Sequence, residues 1–201
     1  MTPILLVEGT CGVGKTSLID AAAREVPGAV VFRQRQTYGP IAPLEDAGTL
    51  DSGGNERALL EIVAAMASAQ LESRSVVLVD TLHFTQRLRP GVLSAEAFGR
   101  VHARVAALGA EVVLLHASPA TLRERVIVGR RGTSFARYAR KLGDDDDALL
   151  AYFVGEQDRL RELVEASCGG KQLRLDGDAP RDEVVRALLS RLAGRWSPSS
   201  F

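Results

Sequence analysis

The chain has 201 residues, 46% of them hydrophobic and 25% charged, a globular composition that fits one domain burying about 70% of its unfolded surface. Its 25 basic and 25 acidic side chains cancel, which argues against a general polyanion binder and so against a nucleic-acid polymer as partner. Two cysteines, Cys11 and Cys168, make no disulfide framework, and no apolar run is long enough to span a bilayer, so a reduced, soluble, cytoplasmic protein is expected.

Short apolar runs alternate with longer helical patterns, with no repeat and no linker that splits the chain. Ile4–Val7 reads as the first strand, and Thr16–Val26 comes next as a helix with Leu18, Ile19, Ala22, Ala23 and Val26 on its apolar side. Ala29–Phe32 is the second strand. Asn55–Glu72 is a long amphipathic helix with Asn55 as its expected N-cap. Val76–Val79 is the third strand, and Asp80 ends it. A helix over Ser94–Leu108 stops before Gly109. The fourth strand, Val112–Leu115, leads to a helix over Pro119–Val128 with Pro in its first turn. The acidic run Asp144–Asp147 reads as a solvated turn opening a helix over Asp147–Ala166. Leu173–Leu175 and Pro180–Leu192 supply the last strand and helix.

None of the strand runs alternates polar with apolar residues, so each is expected to be buried on both faces, as in a covered parallel sheet. The alternation predicts an α/β fold, a doubly wound three-layer sandwich around a five-stranded parallel sheet with right-handed crossovers. One domain over 1–195 and a flexible tail over 196–201 complete the expected organisation.

The turn after the first strand carries the chemistry. Gly9-Thr-Cys-Gly-Val-Gly-Lys-Thr16 fits G-x-x-x-x-G-K-[ST], the phosphate-binding P-loop. Its glycines let the backbone curl until successive N–H groups point inward, and the helix behind adds its positive N-terminal end. Gly9, Gly12, Val13, Gly14, Lys15, Thr16 and Ser17 are therefore the predicted nucleotide contacts. Lys15 reaches the β- and γ-phosphates, and the Thr16 hydroxyl is a ligand for Mg²⁺. The pattern would arise by chance in roughly 0.3% of chains of this composition, and the flanking strand and helix are those the motif needs. The fold implied is that of the P-loop NTPases.

Val7-Glu8-Gly9 followed by this loop resembles the thymidylate kinase and deoxynucleoside kinase group, which reads E-G-x-x-G-x-G-K-[ST] here. The order of elements agrees over nearly the whole chain. The resemblance implies an ATP- and Mg²⁺-dependent kinase acting on a small-molecule hydroxyl or phosphate acceptor. It implies that Asp80 holds Mg²⁺ through water or takes the acceptor's proton, and that Glu8 acts as base on a hydroxyl. For Glu8 a structural acid bonded to backbone N–H groups is the equal alternative. The arginines Arg123, Arg125, Arg130 and Arg131 match that group's lid, here about 123–143, where guanidinium groups spread positive charge over the transferring phosphoryl. Arg125 and Arg130 are the first choices for this role, and Arg131 is placed with the nucleotide.

Arg33, Arg35 and Tyr38 after the second strand, with His83 and Phe84 after the third, fall where the group binds its acceptor. Each has a plainer alternative as a solvated charge or core aromatic. The loop Gly177-Asp178-Ala179-Pro180 falls where the group cradles adenine, with Asp178 as a helix cap the alternative. Cys11, beside a helix N-terminus, is expected to have a lowered pKa.

Two departures keep the acceptor open: Thr81 follows Asp80 where the group has Arg, and the group's R-E-P-G-G motif is absent. A nucleoside or nucleoside monophosphate is the leading acceptor. An antibiotic or other hydroxylated metabolite, or a non-catalytic ATP-binding switch, is the alternative. The absence of an N/T-K-x-D tetrad argues against a guanine-specific GTPase. Members of the resembled group commonly pair through long helices, so the resemblance allows a homodimer, which the sequence itself does not decide.

Overall fold

The computed structural model describes residues 2–37, 52–73, 75–89 and 91–193. Its strands are β1 (Ile4–Glu8), β2 (Val30–Phe32), β3 (Val77–Asp80), β4 (Glu111–His116) and β5 (Leu173–Asp176), all parallel and in the order β2-β3-β1-β4-β5. The helices are α1 (Lys15–Glu25), α2 (Gln34–Thr37), α3 (Ser52–Glu72), α4 (His83–Leu88), α5 (Ala95–Ala107), α6 (Pro119–Leu122), α7 (Ser134–Ala139), α8 (Asp146–Cys168) and α9 (Arg181–Ala193). Arg123–Val128 continues α6 as a π-helix. Tyr38, expected at the acceptor site, and the tail 196–201 lie outside the described residues. Among the described residues no helix is long and apolar enough to cross a membrane.

The unbroken apolar runs have a direct structural cause. β1 lies at the sheet centre with all five residues buried, Leu6 opposite Val79 of β3 and Val112 of β4. Successive side chains point to opposite faces, so Leu5 and Val7 enter one core with Leu18, Ile19 and Ala22 of α1 and Val185 and Leu188 of α9. Ile4 and Leu6 enter the other, with Leu59, Val63 and Met66 of α3 and Phe98, Val101 and Val105 of α5. α1 packs on α9 and α3 on α5, giving the predicted three layers. The edge strands depart from expectation. β2 is half-buried, and β5 exposes Arg174 and Asp176 while burying Leu175, because each has a neighbour on one side only.

Helix starts obey local capping chemistry in four places, Thr133 at the start of α7 among them. Ser94, Ser118 and Asp145 likewise each accept a hydrogen bond from the backbone N–H three residues on, and so begin α5, α6 and α8. Asn55 does not cap its helix. α3 begins at Ser52, and Asn55 is buried within it, its Nδ2 donating to Val92 O at 2.8 Å. An amide tied to a distant loop outweighs the local capping preference. The predicted helix over Pro119–Val128 is α-helical only to Leu122. At Gly129 the N–H donates five residues back, to Glu124 O at 2.8 Å, and the wider turn rotates the residues C-terminal to it.

Candidate functional site

β1 delivers the loop 9–14 at the C-terminal ends of the central strands, where parallel α/β sheets present ligand sites. Gly12 has φ +85, and a Cβ there would fall on Val126 Cγ2, so only glycine fits between loop and π-helix. A Cβ on Gly177 would come within 2.9 Å of both Val13 O and His116 O, so the turn after β5 packs backbone to backbone against the loop. Lys15 Nζ donates to Gly9 O (2.7 Å) and Thr10 O (3.0 Å), which holds the ammonium over the hollow of the loop.

Thr16 Oγ1 donates to Asp80 Oδ2 at 2.7 Å, joining the start of α1 to the end of β3. Asp80 is buried, and its Oδ1 has no hydrogen-bond partner. A buried oxygen left unbonded is costly unless a further group satisfies it. This pair fits Mg²⁺, which takes one or two protein oxygens and fills its remaining positions with water and phosphate. Among the described residues no cluster of three or more His, Cys, Asp or Glu could hold a metal alone. Thr81, next in the chain, has φ +62, a strained conformation for a β-branched residue, and it lines the site.

Around the loop opens a cavity of about 740 Å³, large enough for two small molecules or one large one. Its described lining carries Lys15, Arg89, Arg125, Arg130 and Arg181 against one acid, Glu156. In a chain with no net charge that concentration makes an anion-attracting site. Arg125 lies over the loop, its Nη1 3.4 Å from Val13 O, and Arg130 stacks on the Phe135 ring at 4.4 Å. Arg123 and Arg131 face away and form ion pairs with Asp147 and Asp146 at the start of α8. The sequence placed Arg131 with the nucleotide. The structure ties it instead to an exposed carboxylate, so it is absent from the cavity lining.

Other predicted residues are also relocated. His83 and Phe84, expected to line the acceptor pocket, are fully buried with Phe98 in the core on the far side of α4, and His83 Nε2 shares a hydrogen bond with His102 Nδ1 at 3.0 Å. Burial, with His102 beside it, holds the His83 imidazole far below its usual value, at about 3. Arg33 is paired with Asp20 of α1, and Arg35 is exposed; of α2, Gln34 is the residue that lines the cavity. Asp178 accepts from Ser118 N at 3.0 Å and so pins the turn after β5 to the start of α6, while Gly177 and Ala179 line the cavity and Pro180 does not. Burial pushes the Cys11 thiol up, outweighing Arg130 and Lys15, so the expected lowering is reversed.

Glu8 is fully buried behind the cavity wall. Its Oε1 accepts from Leu82 N (2.9 Å) and its Oε2 from Thr85 Oγ1 (2.9 Å). Burial raises its carboxyl from an ordinary 4.5 to about 7, against the pull of those two bonds and of Lys15, while Asp80 adds to the rise. Both carboxylate oxygens are thus engaged, one by a backbone N–H and one by a side-chain hydroxyl.

Several lining residues were missed in the sequence. Phe135, Tyr138, Tyr152 and Phe153 form an aromatic wall from α7 and α8. Glu156, one turn beyond Tyr152, accepts a bond from Thr10 Oγ1 of the phosphate loop. Thr81, Thr85 and Arg89 also line the cavity, at four-residue spacing, and that spacing is the one signal that could have been read.

No family model and no curated protein matches the chain. Solved structures do. A gluconokinase from Sinorhizobium meliloti is 20% identical with a TM-score of 0.57, covering 96% of this chain and 93% of its own. A shikimate kinase from Bacteroides thetaiotaomicron is 16% identical with a TM-score of 0.62, covering 96% and 98%. A thymidylate kinase from Candida albicans is 12% identical with a TM-score of 0.60, covering 96% and 92%. At these identities the likeness is one of fold: a five-stranded parallel sheet flanked by helices, shared with P-loop kinases that differ from one another in acceptor.

Proposed function

We propose that the chain is an ATP- and Mg²⁺-dependent phosphotransferase whose acceptor is a small molecule, in the first instance a nucleoside or nucleoside monophosphate. The observation that carries this reading is the continuity of the cavity. Its lining includes the phosphate loop with Lys15 and, beyond the loop, the aromatic wall together with Thr81, Thr85 and Arg89. Arg125 and Arg130 belong to the same lining. A nucleotide switch needs the phosphate loop only.

Phosphoryl transfer depends on positioning and on charge stabilisation more than on covalent help from the protein. Loop N–H groups and Lys15 would hold the triphosphate, and Arg125 and Arg130 would spread charge over the equatorial oxygens. Thr16 and Asp80 would hold Mg²⁺, which when bound neutralises phosphate charge. Arg89 offers the acceptor side the cation that Thr81, standing where the resembled kinases have Arg, does not. The aromatic wall favours a ring-bearing acceptor, and the gluconokinase and shikimate kinase among the similar structures keep a non-nucleoside hydroxyl compound as the second reading.

The test is ADP release from Mg²⁺-ATP with and without a panel of 2′-deoxynucleosides, their monophosphates and hydroxylated antibiotics. Acceptor-dependent release supports the kinase. Slow turnover that no acceptor changes favours the switch. Lys15→Ala should abolish transfer with an unchanged circular dichroism spectrum, because among the described residues Lys15 bonds only Gly9 O and Thr10 O of its own loop.

A further inference from the structure

Two carboxylates lie near the site, and the structure separates their tasks. Asp80 is bonded to the Thr16 hydroxyl, the partner expected for magnesium. Glu8 bonds nothing in the phosphate loop and does not line the cavity. One side chain connects it to the open space. Thr85, in the first turn of α4, lines the cavity and donates its hydroxyl proton to Glu8 Oε2 at 2.9 Å. The other carboxylate oxygen is held by Leu82 N, so the acid cannot turn toward the cavity without breaking both bonds. A hydroxyl that gives its proton to a buried carboxylate presents its lone pairs on the other side.

We propose that Thr85 is the hydroxyl through which Glu8 takes up the proton that the acceptor loses. This rests on the phosphotransferase reading above. The acceptor oxygen attacks the γ-phosphorus and a new O–P bond forms. The bond from that phosphorus to the β–γ bridging oxygen breaks, and its electron pair leaves with ADP. The acceptor's proton passes to Thr85 Oγ1 as the proton already on Thr85 passes to Glu8 Oε2. Thr85 ends as it began, Glu8 ends neutral, and solvent recovers the proton after the products leave.

The surroundings of Glu8 suit an acid that changes state near neutrality. The charged groups close to it are Lys15 from α1 and Asp80 from β3; β4 presents Leu114 opposite it, and α4 presents Thr85. Burial lifts its titration to about 7, so the relay is open above that pH and closed below it. Ionised, Glu8 is a base of useful strength. Protonated, it has no place for the acceptor's proton.

Water is the simplest acceptor, so the test tracks hydrolysis of Mg²⁺-ATP across pH. The wild-type chain should show an acid limb with its midpoint near 7. Thr85→Val should lower kcat by roughly 100-fold and flatten that limb, while KM for ATP is unchanged. Thr85→Ser, which keeps the hydroxyl, should restore the rate to within about threefold, together with the limb. Glu8→Gln should match Thr85→Val, and the double variant should be no slower than either, because both remove one path. If Thr85→Val does not fold by circular dichroism, Thr85→Ala takes its place.

A Thr85→Val chain with the wild-type rate and acid limb overturns the relay, as does a double variant in which the two losses multiply. Calorimetry with a non-hydrolysable ATP analogue separates the two levels. Intact binding beside an unaffected Thr85→Val overturns the relay alone. A wild-type chain that binds no ATP, or binds it and turns it over neither with water nor with any acceptor of the panel above, overturns the phosphotransferase reading and the relay with it.

Discussion

Replacing Glu8 by Gln should make the protein less sensitive to rising pH, by an amount the burial of Glu8 sets. The unfolded carboxyl titrates near its ordinary 4.5 and the folded one near 7. Between those values the native state keeps a proton that the unfolded chain has released, so stability falls as pH rises. The contribution is fully present below about 4.5 and lost once pH passes about 7. A gap of about 2.5 units corresponds to about 3 kcal/mol at roughly 1.4 kcal/mol per unit. Gln is nearly isosteric and does not titrate: its amide oxygen can accept from Leu82 N, and its NH₂ can donate to Thr85 Oγ1. Urea denaturation of both chains from about pH 4.5 to 8.5 gives the difference in unfolding free energy, in which groups common to both cancel. That difference should drift by about 3 kcal/mol against the wild type as pH rises. A difference flat across the range, or one that drifts the other way, refutes the claim that the site imposes a cost on this charge.

Gly12→Ala combines a φ of +85 with a methyl group driven onto Val126. It should cost about 2–4 kcal/mol by thermal denaturation, and adding Val126→Ala should recover the packing share but not the backbone share. Arg125→Ala and Arg130→Ala should each slow ATP turnover by about 100-fold, whereas Arg123→Ala and Arg131→Ala, which remove exposed ion pairs beyond the cavity, should stay within about twofold in the same assay. The His83 ring is held neutral in the core, with folded and unfolded values of about 3 and 6.5. Its contribution is present above 6.5 and lost as pH falls below it, by about 2 kcal/mol at pH 5 relative to His83→Gln in urea melts; equal acid sensitivity would refute it.

The phosphate loop was legible because its function is local. The motif Gly9 to Thr16 rests on consecutive backbone N–H groups and two adjacent side chains, so eight residues in a row carry nearly the whole signal. The sheet was legible for a related reason. Leu5 and Val7 serve one core and Ile4 and Leu6 the other, and a strand buried on both faces cannot afford a polar position. The edge strands were misread because burial there depends on which strands become neighbours, and order in the chain does not give order in the sheet.

Among the four arginines of one segment, Arg125 and Arg130 enter the cavity, while Arg123 and Arg131 pair with the carboxylates that open α8. The turn that sorts them is π-helical, and an α-helical count along the sequence gives the wrong faces. His83 and Phe84 come soon after Asp80, yet α4 turns them inward and puts Thr85 and Arg89 at the cavity.

The amino-acid order alone determined the glycine-rich turn after the first strand, the alternation of strand and helix, and the apolar faces that make a covered parallel sheet. Tertiary structure decided which charges meet. Glu8 finds Leu82 and Thr85 more than 70 residues away, and Thr10 finds Glu156 across 146. Hydrogen bonding and burial act over a few ångströms of space whatever the separation along the chain, so the partners of a buried acid cannot be read until the sheet has folded them together.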